Sequence, residues 1–183
     1  ALLLLIAAVV VPQLQRRPSV RSLTVYCAHD AVFADEIIRR FEAASGITVD
    51  VVYDEEASKS LGLTNRLIAE RDQPRCDVFW NNQTLGTIRL RQQGLLAPCQ
   101  GAGWSRIPAA FRDPEGYWTG FAARLRVYVI HTDQMPVTEA AVSELLLSDQ
   151  LQRVAIAVPL YGTTLTHYCV LAGQQGLDGL QAW

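Results

Sequence analysis

The sequence predicts an α/β fold built on a parallel sheet, and three stretches between Leu23 and Gln93 carry that prediction. Each runs from a short apolar strand into a polar cluster and then into an amphipathic helix. Leu23 to Cys27 leads into Ala28-His29-Asp30, Ile47 to Tyr53 into Asp54-Glu55-Glu56, and Cys76 to Trp80 into Asn81-Asn82-Gln83. Strands that alternate with helices pair in parallel, because parallel neighbours need a crossover that is usually helical. Ligands of such sheets collect outside the carboxyl ends of the strands, where the three polar clusters converge.

Each element has its own justification. The first helix starts at Asp30 as N-cap, carries Phe33, Ile37, Ile38 and Phe41 as its apolar face, and stops at Gly46. A second helix is expected from about Ala57 to Arg71 with Leu63, Leu67 and Ile68 inward. A third is expected from Thr84 to Gln93, stopped by Gly94. Residues 101–116 are rich in glycine and proline and read as loop. Tyr117 to Phe121 and Arg126 to His131 then read as strands. Pro136 and Thr138 open a short helix to about Leu147, and Val154 to Val158 reads as another strand. A turn at Pro159 to His167 leads into a last helix reaching about Gln175, followed by a turn at Gly176 to Gly179. One strand and two helices are too little for a second domain, so an incomplete chain is expected.

At 183 residues and 50% hydrophobic content the chain can bury a substantial core. A net charge of -2 with scattered Lys and Arg lacks the basic stripe of a nucleic-acid surface. Ala1 to Val11 is an unbroken apolar run ahead of Pro12, Arg16 and Arg17. It is short of the roughly 20 residues that span a bilayer, and it reads as a truncated signal or signal-anchor, with residues 13–22 as tether. The protein is therefore expected outside the cytoplasm, with this segment able to tether it to the membrane. Cys27, Cys76, Cys99 and Cys169 show no metal-binding spacing and are expected as small buried hydrophobes.

The candidate site residues divide by chemistry. Thr163, Thr164 and Thr166 follow Gly162 at a helix start and offer hydroxyls to a phosphate, carboxylate or anion-capped metal, although plain helix capping explains them too. Arg124 or Arg126 would serve an anion as a planar fork; an exposed edge-strand role is the alternative. His29, Asp30, Asp54, Glu55 and Glu56 are the hard-ligand candidates, without a tight metal motif, and capping accounts equally for Asp30 and Glu56. Asn81 completes the rim, and His167 approaches from the later segment. No nucleophile elbow, Walker loop or GxGxxG is present, so an enzyme is not expected.

Several blocks together resemble the extracellular solute-binding proteins of ABC transporters, most closely their iron(III)-binding, ferric-binding-protein-like branch. They are Leu23-Thr-Val-Tyr26, Phe41-Glu-Ala-Ala-Ser-Gly-Ile47, Asp77-Val-Phe79, Gly94-Leu-Leu-Ala-Pro98 and Trp118-Thr-Gly-Phe-Ala-Ala-Arg124. Glu55-Glu-Ala-Ser-Lys-Ser60, Phe111-Arg-Asp-Pro-Glu-Gly116 and Pro159 to His167 resemble one of its subgroups.

The resemblance implies a two-lobed type 2 periplasmic-binding-protein fold. Residues 1–21 would be signal and tether, 22–130 a nearly complete first lobe, and 131–183 the hinge and a partial second lobe. It implies a monomer that needs no cofactor, captures ferric iron with an anionic co-ligand or a small anionic solute such as a phosphorylated sugar or phosphonate, and delivers it to a membrane permease. The family's iron-binding histidine falls on Asp30, with His29 one residue early, and its glutamate aligns with Glu55. A sensory domain of a membrane receptor, or an α/β enzyme, would use the same class of fold.

Overall fold

The computed structural model describes residues 21–54, 61–160 and 162–182. Its centre is a three-stranded parallel sheet of β1 (Ser22–Cys27), β2 (Thr48–Tyr53) and β3 (Val78–Trp80) in the order β2-β1-β3. Helix α1 (Ala31–Ser45) joins β1 to β2, and α2 (Leu61–Ala69) precedes β3. The register aligns Val25 with Val51 on one side and with Val78 on the other.

β1 is central, so it must be apolar on both faces, and its alternation sorts the core into two layers. Val25 and Cys27 pack on one face with Ala34 and Ile38 of α1, flanked by Val49, Val51, Tyr53 and Trp80. Tyr26 and Ala28 pack on the other face with Leu63 of α2, flanked by Val52, Leu67, Cys76 and Phe79. The sheet is thus covered on both sides, as the alternating pattern predicts.

Helix ends follow the sequence signals. Gly46 takes φ 67 and its N–H reaches Glu42 O, which closes α1. Helix α3 (Thr84–Gln92) ends at Gly94, φ 69, with the Leu95 N–H on Leu90 O at 3.0 Å. Helix α4 (Glu139–Leu146) is capped by Thr138, whose hydroxyl oxygen accepts from the Ala141 N–H at 3.2 Å. Helix α5 (Gly162–Ala182) contains a break at Gly176, whose φ of 74 is the turn expected there, and helical structure resumes beyond it.

The loop between α3 and α4 is organised by a buried carboxylate. Asp113 is 1% exposed and accepts from the Glu115 and Tyr117 N–H groups at 3.1 Å each and from Arg91 at 2.5 Å. Arg91 also lies over the Tyr117 ring, 5.1 Å from its centroid. These contacts fasten residues 113–117 to the end of α3.

Four expectations are corrected. The inward stripe of α1 is Ala34 and Ile38, while Phe33, Ile37 and Phe41 are 59%, 51% and 42% exposed. Phe33 and Ile37 are rotated about 100° round the helix from Ala34 and Ile38 respectively, and the small Ala34 lets the buried stripe approach the sheet. The segments 126–131 and 154–158 form no strand and belong to no ladder among the described residues, and Val127, Val129 and Ile156 are exposed. Alternation supplies only the pattern of a strand; the strand itself requires a hydrogen-bonded neighbour. Residues 117–121 make a single antiparallel bridge, Arg112 with Thr119, instead of a strand. Lastly, Cys27 is buried and Cys76 half-buried, but Cys99 and Cys169 are exposed, and all four are free thiols.

The apolar N-terminal run and Glu55, Glu56 and the predicted start of the second helix lie outside the described residues. No helix among the described residues is long and apolar enough to cross a membrane.

Candidate functional site

The carboxyl ends of β1 and β3 are stitched together by their own turns. The Ala28 N–H donates to Trp80 O at 2.9 Å, and Asn82 Nδ2 donates to Ala28 O at 2.8 Å. Both backbone groups of Ala28 are therefore held by the β3 side, directly before His29 and Asp30. Asn81 is occupied within its own turn. Its Oδ1 accepts from the Asn82 N–H at 2.9 Å, while Nδ2 donates to Gln83 O at 2.6 Å and to Thr87 Oγ1 at 3.1 Å. Asn81 thus shapes the start of α3, and Asn82, which sequence reasoning passed over, ties that turn to β1.

Asp30 occupies the N-cap position of α1 with extended backbone, but its carboxylate makes no capping hydrogen bond. Instead its N–H donates to His29 Nδ1 at 2.9 Å. Asp54, at the end of β2, accepts from the Leu63 N–H at 3.3 Å and so supports the start of α2. Behind the edge, the Tyr53 hydroxyl binds the Asp35 carboxylate, and burial followed by that bond pushes the phenol far above its usual range. Burial likewise raises the Cys27 thiol, which keeps it protonated and unreactive beneath the site.

An aromatic wall lines the same edge. His29 lies 5.6 Å from Phe33 and 6.0 Å from Trp80, ring centroid to centroid, the second pair edge-on at 86°. Trp80 in turn meets Phe121 at 5.4 Å. Phe121 brings the segment bearing Arg124 to the sheet's edge, and Arg124 itself is exposed three residues further on. The buried Trp80 Nε1 and Gln83 Oε1 have no hydrogen-bond partner. The wall was legible only in part: Trp80 closes a strand at the ligand edge, but nothing in the sequence pairs it with Phe121.

Thr163 and Thr164 fall in the first turn of α5, and Thr166 opens the second. Thr164 is buried, and Thr166 donates its hydroxyl proton to Gly162 O at 3.2 Å. His167 stacks edge-on with Tyr168 at 6.1 Å. Arg126 is exposed. No group of three His, Cys, Asp or Glu able to hold a metal occurs among the described residues, a set that omits Glu55.

No family model matches the sequence. Solved structures do match the fold. Iron-bound HitA from Pseudomonas aeruginosa is 22% identical, with a TM-score of 0.76 over 89% of this chain and 52% of that one. The ferric binding protein from Campylobacter jejuni is 22% identical, with a TM-score of 0.71 over 88% and 51%. Trichodesmium IdiA (FutA), in complex with iron and citrate, is 20% identical, with a TM-score of 0.71 over 88% and 51%. The chain thus has the α/β fold of the two-lobed ferric-binding proteins and spans about half the length of these structures.

Proposed function

We propose that this chain is the ligand-capturing portion of a periplasmic solute-binding protein that takes up ferric iron together with an anionic co-ligand. The observation that carries this reading is the fold match to three ferric-binding structures, two of them iron-bound, over nearly nine-tenths of the chain. The site chemistry is compatible with it: Asp30 stands just after β1 at the ligand edge of the sheet. Ferric iron is a hard cation that prefers oxygen donors, which Asp30 and Glu55 supply. Arg124, Thr163 and Thr164 would hold the anion, with Thr166 limited to accepting because its proton is engaged. Asn81 would act by shaping the rim.

Capture would proceed by closure of the cleft, which requires that the ligand interact more favourably with the closed state than with the open one. The captured ligand would pass to a membrane permease, and the protein itself would catalyse no reaction. The test is ferric citrate binding to the protein expressed from its complete gene. Asp30→Ala and Glu55→Ala are each expected to weaken iron binding at least tenfold, and Arg124→Ala to weaken retention of the citrate. Unchanged iron affinity in both carboxylate variants would remove the metal reading.

A further inference from the structure

His29 offers one ring nitrogen to the site, and the backbone decides which state that nitrogen is in. Nδ1 accepts the Asp30 N–H at 2.9 Å. An acceptor nitrogen in a neutral imidazole is the deprotonated one, so the proton resides on Nε2. Coordination of a metal by Nε2 would require the proton to move to Nδ1, where it would face the Asp30 N–H, donor against donor. A metal-ligating imidazole is ordinarily oriented by the reverse arrangement, in which its second nitrogen donates to an acceptor.

Neither the turn nor the ring is placed to rearrange cheaply. Ala28, immediately before His29, is held through its N–H by Trp80 O and through its carbonyl by Asn82 Nδ2. The imidazole is packed between the rings of Phe33 and Trp80. Beside it, the buried indole N–H of Trp80 has no hydrogen-bond acceptor among the described residues. A buried donor without an acceptor, next to His29 and among aromatic rings, complements a ligand that brings an oxygen acceptor on an organic skeleton.

We infer that His29 is a neutral hydrogen-bond donor to a carboxylate or phosphate oxygen of the captured ligand, and that it does not bind the metal. This specificity role rests on the binding-protein reading above, but it concerns the anion where that reading concerns the cation.

Two measurements on the protein expressed from its complete gene decide it. Long-range nitrogen–proton NMR at mildly alkaline pH reports the tautomer without any ligand. His29→Gln identifies the resonance. The expected result is a protonated Nε2 and an acceptor Nδ1; the opposite tautomer overturns the assignment. Calorimetry with metal-free citrate and with inorganic phosphate then compares variants. His29→Leu is expected to lose about tenfold in affinity for the anion that the wild type binds, about the value of one net hydrogen bond, while His29→Gln keeps most of it by donating from its amide. Equal affinity of His29→Leu and wild type overturns the proposal, as does a wild type that binds neither anion. Failure of the iron reading shows separately, as Asp30→Ala and Glu55→Ala proteins that bind ferric citrate like the wild type.

Discussion

At the scale of single residues, the polar side chains divide between holding the fold and serving the edge. Glu70 belongs to the first kind. It accepts from the Tyr26 hydroxyl at 2.7 Å and from Arg66 Nε at 2.8 Å, while the Arg66 guanidinium lies over the Tyr26 ring at 4.7 Å. The Arg66 hydrogen bond holds the Glu70 carboxyl below its usual range. Its folded pKa is then lower than its unfolded one, so the contribution is present above the unfolded value of about 4.3 and is lost as pH falls through the folded value. Glu70→Gln should therefore cost on the order of 1 kcal/mol at neutral pH, discounted for the exposed Arg66, and the gap to wild type should close below about pH 4. Urea melts at several pH values check this, and a pH-independent gap would contradict it. Cross-chain arrangements such as Tyr26 with Glu70 are not legible in sequence because they join residues 44 apart. Asp30, by contrast, could be placed at the ligand edge from the strand–polar–helix pattern alone.

At the scale of elements, the approach of α2 to α3 depends on the absence of a side chain at Gly86. A Cβ there would lie 2.5 Å from Thr64 Oγ1 and 3.4 Å from Asn81 Nδ2. Thr64 is 2% exposed and β-branched, so it has little freedom to retreat. Glycine to alanine inside an exposed helix ordinarily gains about 1 kcal/mol. Here overpacking should outweigh that gain, and Gly86→Ala is expected to destabilise by about 1–3 kcal/mol net, read as a lower denaturation midpoint. A neutral or stabilising result would mean that α2 and α3 can separate without cost. The three strand–helix units were legible because each pairs an apolar strand with an amphipathic helix, the first and third of them stopped by Gly46 and Gly94. The later segments misled because Val127 and Val129 alternate like strand residues while no neighbour among the described residues pairs with them.

At the scale of the whole molecule, the doubly covered sheet places Ala28-His29-Asp30, Asp54 and Asn81-Asn82-Gln83 along one edge, and that edge is the candidate half of a cleft. The fold and the position of this edge follow from elementary topology, whereas the division of labour along it follows from contacts that only the folded chain supplies. Asn81 is committed to its own turn, Asn82 locks β1 to β3, and His29 sits against the rings of Phe33 and Trp80. The proposed binding of ferric iron with an anion, without chemical change to either, is tested most directly by calorimetric titration of the protein expressed from its complete gene with ferric citrate, followed by mass analysis of the recovered ligand. Saturable binding of one equivalent with citrate recovered unchanged is the predicted result; no saturable binding, or a chemically altered citrate, would contradict it.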